Sequence, residues 1–262
     1  MPPLPANPAA SGHQEMQVSN GPFVYADTAS SRAGIEAVSQ RLTGGTIAII
    51  GLGGTGSVVL DLISKTAVDR IILIDGDRAE QHNAFRWPGA MALEELAANL
   101  SKVDYFASVY GRMHRGIAAY PVHLSADSFA LLDEVDFVFV CVDSVEARAL
   151  IIPALESRNL PFIDCGLGLS LIDDRLMGLI RVTTSTPAMR AHVHDKGRIP
   201  TTGRDDDDLY RSNIQVADLN MLAGTLAVIQ YKQLRGFYHD FEAEYHAVYA
   251  TDGNNIVNDD RA

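Results

Sequence analysis

Short apolar runs alternating with stretches of helical spacing dominate the first two thirds of the chain. TIAIIG (46–51) is β-branched and apolar on both faces, which predicts a central strand of a parallel sheet. RIILID (70–75), DFVFVCVD (136–143) and LPFIDCG (160–166) repeat that pattern, and AYPVHLS (119–125) is a weaker case. Between them, residues 56–67, 91–113 and 145–157 carry helical periods, with Leu100, Val103 and Phe106 expected on a buried face. This alternation predicts an α/β fold: Rossmann-like, doubly wound, with a mainly parallel sheet and helices on both faces.

The two ends read differently. The first 22 or so residues are rich in Pro, Ala, Ser and Asn without an apolar period, so 1–28 is expected as a flexible arm and 29–262 as one domain. ASSRAGIEAVSQRL (29–42) predicts a helix carrying Ile35, Val38 and Leu42, stopped by Gly44-Gly45. LSLIDDRLMGLIRVTTST (169–186) predicts two strands around Asp173-Asp174, an antiparallel C-terminal extension of the sheet. Residues 187–210 have no period and many turn formers, hence a long loop, and 212–237 a long apolar helix with Ser212 as N-cap. The tail EYHAVYATDGNNIV offers a further strand. No internal repeat is found.

Charge and composition narrow the function classes. A net charge of −12 opposes broad binding to nucleic acid or an anionic membrane, because phosphate repulsion would go unanswered. No run approaches the roughly 20 apolar residues of a membrane span, and the first residues lack the pattern of a secretory signal. The two cysteines, Cys141 and Cys165, both lie beside strands expected to be buried. They suit a reduced, cytoplasmic protein and are too few for a Cys₄ zinc site.

The chemistry gathers at predicted strand ends. Gly51-x-Gly53-x-x-Gly56 lies between a strand and a helix, where glycines admit a sharp turn and a helix N-terminus receives phosphate. Gly54 and Thr55 widen the options of that loop. Asp75 ends the second strand 19 residues after Gly56, placed to accept hydrogen bonds from ribose hydroxyls. This much would suit NAD. The stretch HNAFR after Asp75 and Asp77 adds Asn83 and Arg86, an amide and a guanidinium that a pyrophosphate does not require. Lys102 offers a second cation. Asp143 ends another strand, and a carboxylate facing phosphates calls for a bridging divalent ion such as Mg²⁺.

GLGGTGS, then IDGDRAEQHNAFR, then Lys102, then CVDSVEAR (141–148), resemble the ThiF/MoeB/ubiquitin-activating enzyme superfamily over roughly residues 29–240. The resemblance implies ATP·Mg²⁺-dependent adenylation of the C-terminal carboxylate of a small β-grasp protein, ubiquitin-like or a sulfur carrier, by a homodimer. It assigns Gly51, Gly53, Gly54 and Gly56 to the phosphate loop, with Asp75 and Asp77 beside the ribose end. Asn83, Arg86 and Lys102 become phosphate ligands, and Asp143 the acid associated with magnesium. Arg32 resembles the arginine that enters the neighbouring protomer's site, and the helix at 212–237 the family's interface helix. A carboxylate nucleophile is already ionised near neutral pH, so positioning and charge stabilisation, with no general base, would carry the step.

The chain also departs from the family pattern. Residues 187–210 contain no cysteine for a thioester, and there are no paired CxxC motifs for zinc. His192 and His194 read as surface histidines, Cys165 as a small buried residue near the crevice, Cys141 as core. Asp205–Asp208 reads as a solvated acidic face. Adenylation without a crossover-loop thioester is the leading expectation. A tRNA-modifying dehydratase of the same superfamily, a non-catalytic nucleotide-binding partner subunit and an NAD-dependent dehydrogenase stand behind it.

Overall fold

The computed structural model describes residues 18–19, 21–202 and 215–262. Ahead of the sheet lie α1 (Thr28–Ala33) and α2 (Glu36–Ser39), followed by a 3₁₀ turn over Gln40–Leu42. The parallel half comprises β1 (Thr46–Ile50), α3 (Gly54–Ile63), β2 (Arg70–Ile74), α4 (Gln81–Ala84), α5 (Leu93–Ala97), α6 (Lys102–Tyr110) and β3 (Ile117–Tyr120). A 3₁₀ segment at Ala126–Leu132 then leads to β4 (Phe137–Val140) and α7 (Val145–Ser157). The second half holds β5 (Phe162–Ile172), β6 (Arg175–Ser185), α8 (Ala191–Asp195), α9 (Ala217–Leu234), β7 (Glu244–Ala250) and β8 (Asn255–Arg261).

All eight strands form one sheet in the order β3-β2-β1-β4-β5-β6-β7-β8. β3 through β5 are parallel, and β5 through β8 antiparallel. Strand order reverses direction between β1 and β4, the switch point where doubly wound sheets open a crevice. β1 sends Ile47 and Ile49 into one core layer and Ala48 and Ile50 into the other. The first layer is closed by Val59 and Ile63 of α3, Phe106 of α6 and Ala227 of α9. The second is closed by Ile151 and Leu155 of α7 with Leu132 and Val193. Helices on both faces explain why these strands read as unbroken apolar runs.

Several expectations are corrected. The helix over 29–42 is broken, because Gly34 takes a left-handed φ of 67° and caps α1 with its N–H on Ser30 and Ser31 carbonyls. Leu100 is 37% exposed, whereas Val103 and Phe106 are buried. The strand 160–166 and the first strand after it are one continuous β5 of 11 residues. Asp173 and Asp174, both at positive φ, make the tight hairpin turn to β6. The loop at 187–210 contains α8, and the tail forms a hairpin, β7–β8. The part of the arm from residue 21 onward is held by the domain: the Val24 N–H donates to Met113 O at 2.8 Å, and the Phe23 ring packs on His114. Ser212 and Asp205–Asp208 lie outside the described residues. Among the described residues no helix is long and apolar enough to cross a membrane.

Candidate functional site

A cleft of about 880 Å³ opens at the carboxyl ends of the parallel strands. Its base is the turn from β1 into α3. Gly51 adopts φ +87°, and a Cβ there would lie 2.8 Å from the Cys141 carbonyl oxygen. A Cβ on Gly56 would lie 1.9 Å from Gly51 O, so the third glycine serves close packing and does not itself line the cleft. Gly53 lines the cleft, and a Cβ on it would meet nothing within 4 Å. It is the N-cap of α3 and brings no side-chain cap, so the first amides of the helix are left for a ligand. Gly54 serves a different end: Asn220 of α9 fills the space its side chain would take, at 2.3 Å.

Asp75 is tied to backbone on both sides. Its Oδ2 accepts from the Leu52 N–H at 2.6 Å and its Oδ1 from the Asp77 N–H at 2.8 Å. Lys102, buried at the start of α6, donates from Nζ to Asp77 Oδ2 at 2.6 Å and lies 3.8 Å from Asp75 Oδ2. Its hydrogen bond holds the Asp77 carboxyl below the usual carboxylate range. The mouth of the cleft thus carries a cation already near two carboxylates.

Asn83 and Arg86 reach the cleft by different means. Asn83 is buried, and its Oδ1 accepts from the Glu80 N–H at 2.9 Å, closing a capping box at α4. Its amide therefore shapes the loop as well as facing the cleft. Trp87 is buried and stacked on Tyr105, which anchors the chain beside Arg86. Burial lowers the pKa of the Arg86 guanidinium, and the Asp143 carboxylate opposite raises it. An arginine stays charged under such a shift. Arg86 Nε is buried without a hydrogen-bond partner among the described residues, the kind of donor that an anionic ligand would satisfy.

Asp143 is exposed on the loop after β4 and lines the cleft. Among the described residues no three His, Cys, Asp or Glu side chains gather to hold a metal ion. One carboxylate fits a magnesium ion that takes its remaining ligands from phosphate and water. Arg32 does not line this cleft; it is exposed on α1, a helix with no buried residue.

Four features escaped the reading of the sequence. Arg148 of α7 donates from Nε to Asp164 Oδ2 at 3.0 Å and from its terminal nitrogens to the carbonyls of Val142, Asp143 and Cys165. Asp164 also accepts from Arg181 of β6. The signal existed: Arg148 shares the buried stripe of Ile151, Ile152 and Leu155, and Asp164 interrupts an apolar strand. Cys141 is half-buried and lines the cleft, not the closed core expected for it, whereas Cys165 is buried beside the cleft as its place in the sequence suggested. His192 is 4% exposed instead of superficial, while His194 meets Glu156 at the surface.

Residues 27–247 match the model of the ThiF family. Ubiquitin-like modifier-activating enzyme 5 of Branchiostoma floridae is 25% identical over 221 residues, covering 76% of this chain and 51% of that protein. Its Drosophila erecta counterpart is 29% identical over 152 residues, covering 49% and 35%. The chain thus spans about half the length of these relatives or less. Escherichia coli MccB, solved with MccA-N7isoASN, shares the fold with a TM-score of 0.64 at 17% identity, covering 90% of this chain and 73% of that one. Selenomethionyl PaaA gives a TM-score of 0.62 at 16% identity, covering 86% and 76%. With the matched segment taking in the glycine turn, the cleft and most of the sheet, the chain belongs to the ThiF family.

Proposed function

We propose that this chain is an ATP-dependent adenylyltransferase that activates the C-terminal carboxylate of a small β-grasp protein, ubiquitin-like or a sulfur carrier. The observation that carries the reading is Arg86, whose buried Nε has no partner among the described residues and which lines the same cleft as Lys102 and Gly53. A redox dinucleotide would leave that guanidinium without work. The relatives named as ubiquitin-like modifier-activating enzymes, and the MccB structure with ATP, support the same direction.

In this reading Gly53 and the first turn of α3 hold phosphate by backbone N–H groups, and Asp75 orients the ribose. Arg86, Lys102 and Asn83 neutralise charge as the α-phosphate is attacked, and Lys102 exchanges its contact with Asp77 for the ligand. Magnesium, held through Asp143 and phosphate oxygens, would offset the negative charge of the triphosphate. The attacking carboxylate brings its own charge, so the protein's task is to hold two anions together. Arg32 enters the neighbouring site of a homodimer from α1, and the product passes on without a thioester in the crossover segment.

The test is ATP–pyrophosphate exchange, measured with and without β-grasp proteins bearing a free C-terminal glycine. Exchange that depends on the carrier and falls by about 10²–10³-fold in Arg86→Ala is expected. Exchange driven by tRNA alone, or tight NAD binding without exchange, would replace this reading.

A further inference from the structure

The registers Val138↔Phe162, Phe139↔Ile163 and Val140↔Asp164 between β4 and β5 continue by one residue to Cys141 and Cys165. These are the two cysteines of the chain, both free thiols, and both line the cleft. Each follows Phe139 or Ile163 by two residues, so both thiols point into the layer closed by α3 and α9. Adjacent strands run about 4.8 Å apart, inside the Cα separation a disulfide accepts. A terminal nitrogen of Arg148 donates to both Val142 O and Cys165 O, so the end of β4 is tied to β5 at fixed spacing.

We propose that Cys141 and Cys165 form an oxidisable dithiol in the floor of the cleft, closed to a disulfide by hydrogen peroxide in competition with a bound nucleotide. Cys141, half-buried and facing the cleft, is oxidised first. Its sulfur takes one oxygen as the peroxide O–O bond breaks, giving a sulfenic acid and water. The Cys165 sulfur then attacks Cys141, the S–S bond forms, and the hydroxyl leaves as water with the second thiol proton. Two thiols and one peroxide become one disulfide and two waters. The hydrogen bond with Cys165, together with burial, holds the Cys141 thiol well above its usual range. Cys141 therefore stays protonated at neutral pH and oxidises slowly.

The glycine turn rests on Cys141. A Cβ on Gly51 would touch the Cys141 backbone, and one on Gly56 would lie 3.2 Å from the Cys141 Cβ. Drawing Cys141 toward Cys165 therefore moves the surface under the phosphate loop. This part of the proposal rests on the cleft being an ATP site, whereas the dithiol itself does not.

The experiment treats the full chain with hydrogen peroxide, with and without ATP and magnesium, and maps disulfides after alkylation under non-reducing conditions. An intramolecular Cys141–Cys165 link is expected, absent in Cys141→Ser and in Cys165→Ser, formed about tenfold more slowly with nucleotide present and reversed by dithiothreitol. Both thiols remaining alkylatable in excess peroxide, or only single-site and intermolecular products, would overturn the dithiol. A link formed equally fast with ATP present removes the competition with nucleotide. Failure of the reduced protein to bind ATP at all would count instead against the function proposed above.

Discussion

At the mouth of the cleft Lys102 pairs with Asp77, whose side chain is 56% exposed, while on its floor Arg148 and Arg181 grip Asp164, which is fully buried. Both clusters use the same chemistry, and water decides what each can do. The mouth pair is partly solvated, so it is held weakly and can be exchanged for an incoming anion. The floor cluster has lost its water. Its carboxylate is fixed by two guanidiniums, one of which holds the carbonyls of Val142 and Asp143 just after β4 and that of Cys165 within β5. One cluster is suited to change partners, and the other to keep the end of β4 beside β5.

The largest effect should come from breaking the floor. Asp164→Ala leaves the buried Arg148 and the half-buried Arg181 without their carboxylate, and denaturant unfolding should show a loss of about 3–5 kcal/mol. The floor cluster continues through Arg181 Nη1 to Thr183 Oγ1 at 2.9 Å, and Thr183 Oγ1 lies 3.0 Å from His246 Nδ1. Burial, with Arg198 and Arg181 nearby, pushes His246 down to about 4, against the pull of Asp260 and Asp259. The unfolded chain then binds a proton that the fold refuses. Stability should be full above pH ~6.5 and fall by about 3 kcal/mol as the pH drops toward 4. Thermal melts across that range would show it, and His246→Gln should flatten the slope.

A smaller and more pointed comparison lies in the glycine turn. Gly56→Ala, with its Cβ 1.9 Å from Gly51 O, should destabilise by about 1–3 kcal/mol. Gly53→Ala meets nothing within 4 Å and should melt like the parent, yet its methyl group projects into the cleft and should weaken ATP binding measured by calorimetry. Equal ATP affinity in Gly53→Ala and the parent would move the phosphate site elsewhere. Asp77→Asn should shift stability by about 1 kcal/mol, since the Asp77 side chain is 56% exposed and Asp75 still lies 3.8 Å from the buried Lys102 ammonium.

Much of the parallel half was legible because its signals are local. Runs such as TIAIIG and RIILID cannot be solvated on either face, so the strands and their order of appearance followed directly. Gly51, Gly53, Asp75, Arg86, Lys102 and Asp143 do converge on one cleft. Gly56 lies outside the cleft lining and packs on Gly51 O, while Gly54 lines the cleft and is also packed against Asn220 of α9. The helix expected over 29–42 failed at Gly34, where a left-handed residue outweighed a weak apolar period. Cys141 was read as core because an apolar strand hides where it ends; the cleft begins at that end.

The order of strands and helices along the chain, the glycine turn after β1 and the acids at strand ends were determined by the sequence itself, since period, glycine spacing and strand length act over a few residues. Which charges are paired in the dry floor, which are left at the wet mouth, and that Cys141 lies beside Cys165 were decided only in three dimensions. Pairing across a sheet depends on which distant segments register side by side, and burial depends on what then covers them; neither is a property of any short stretch of chain.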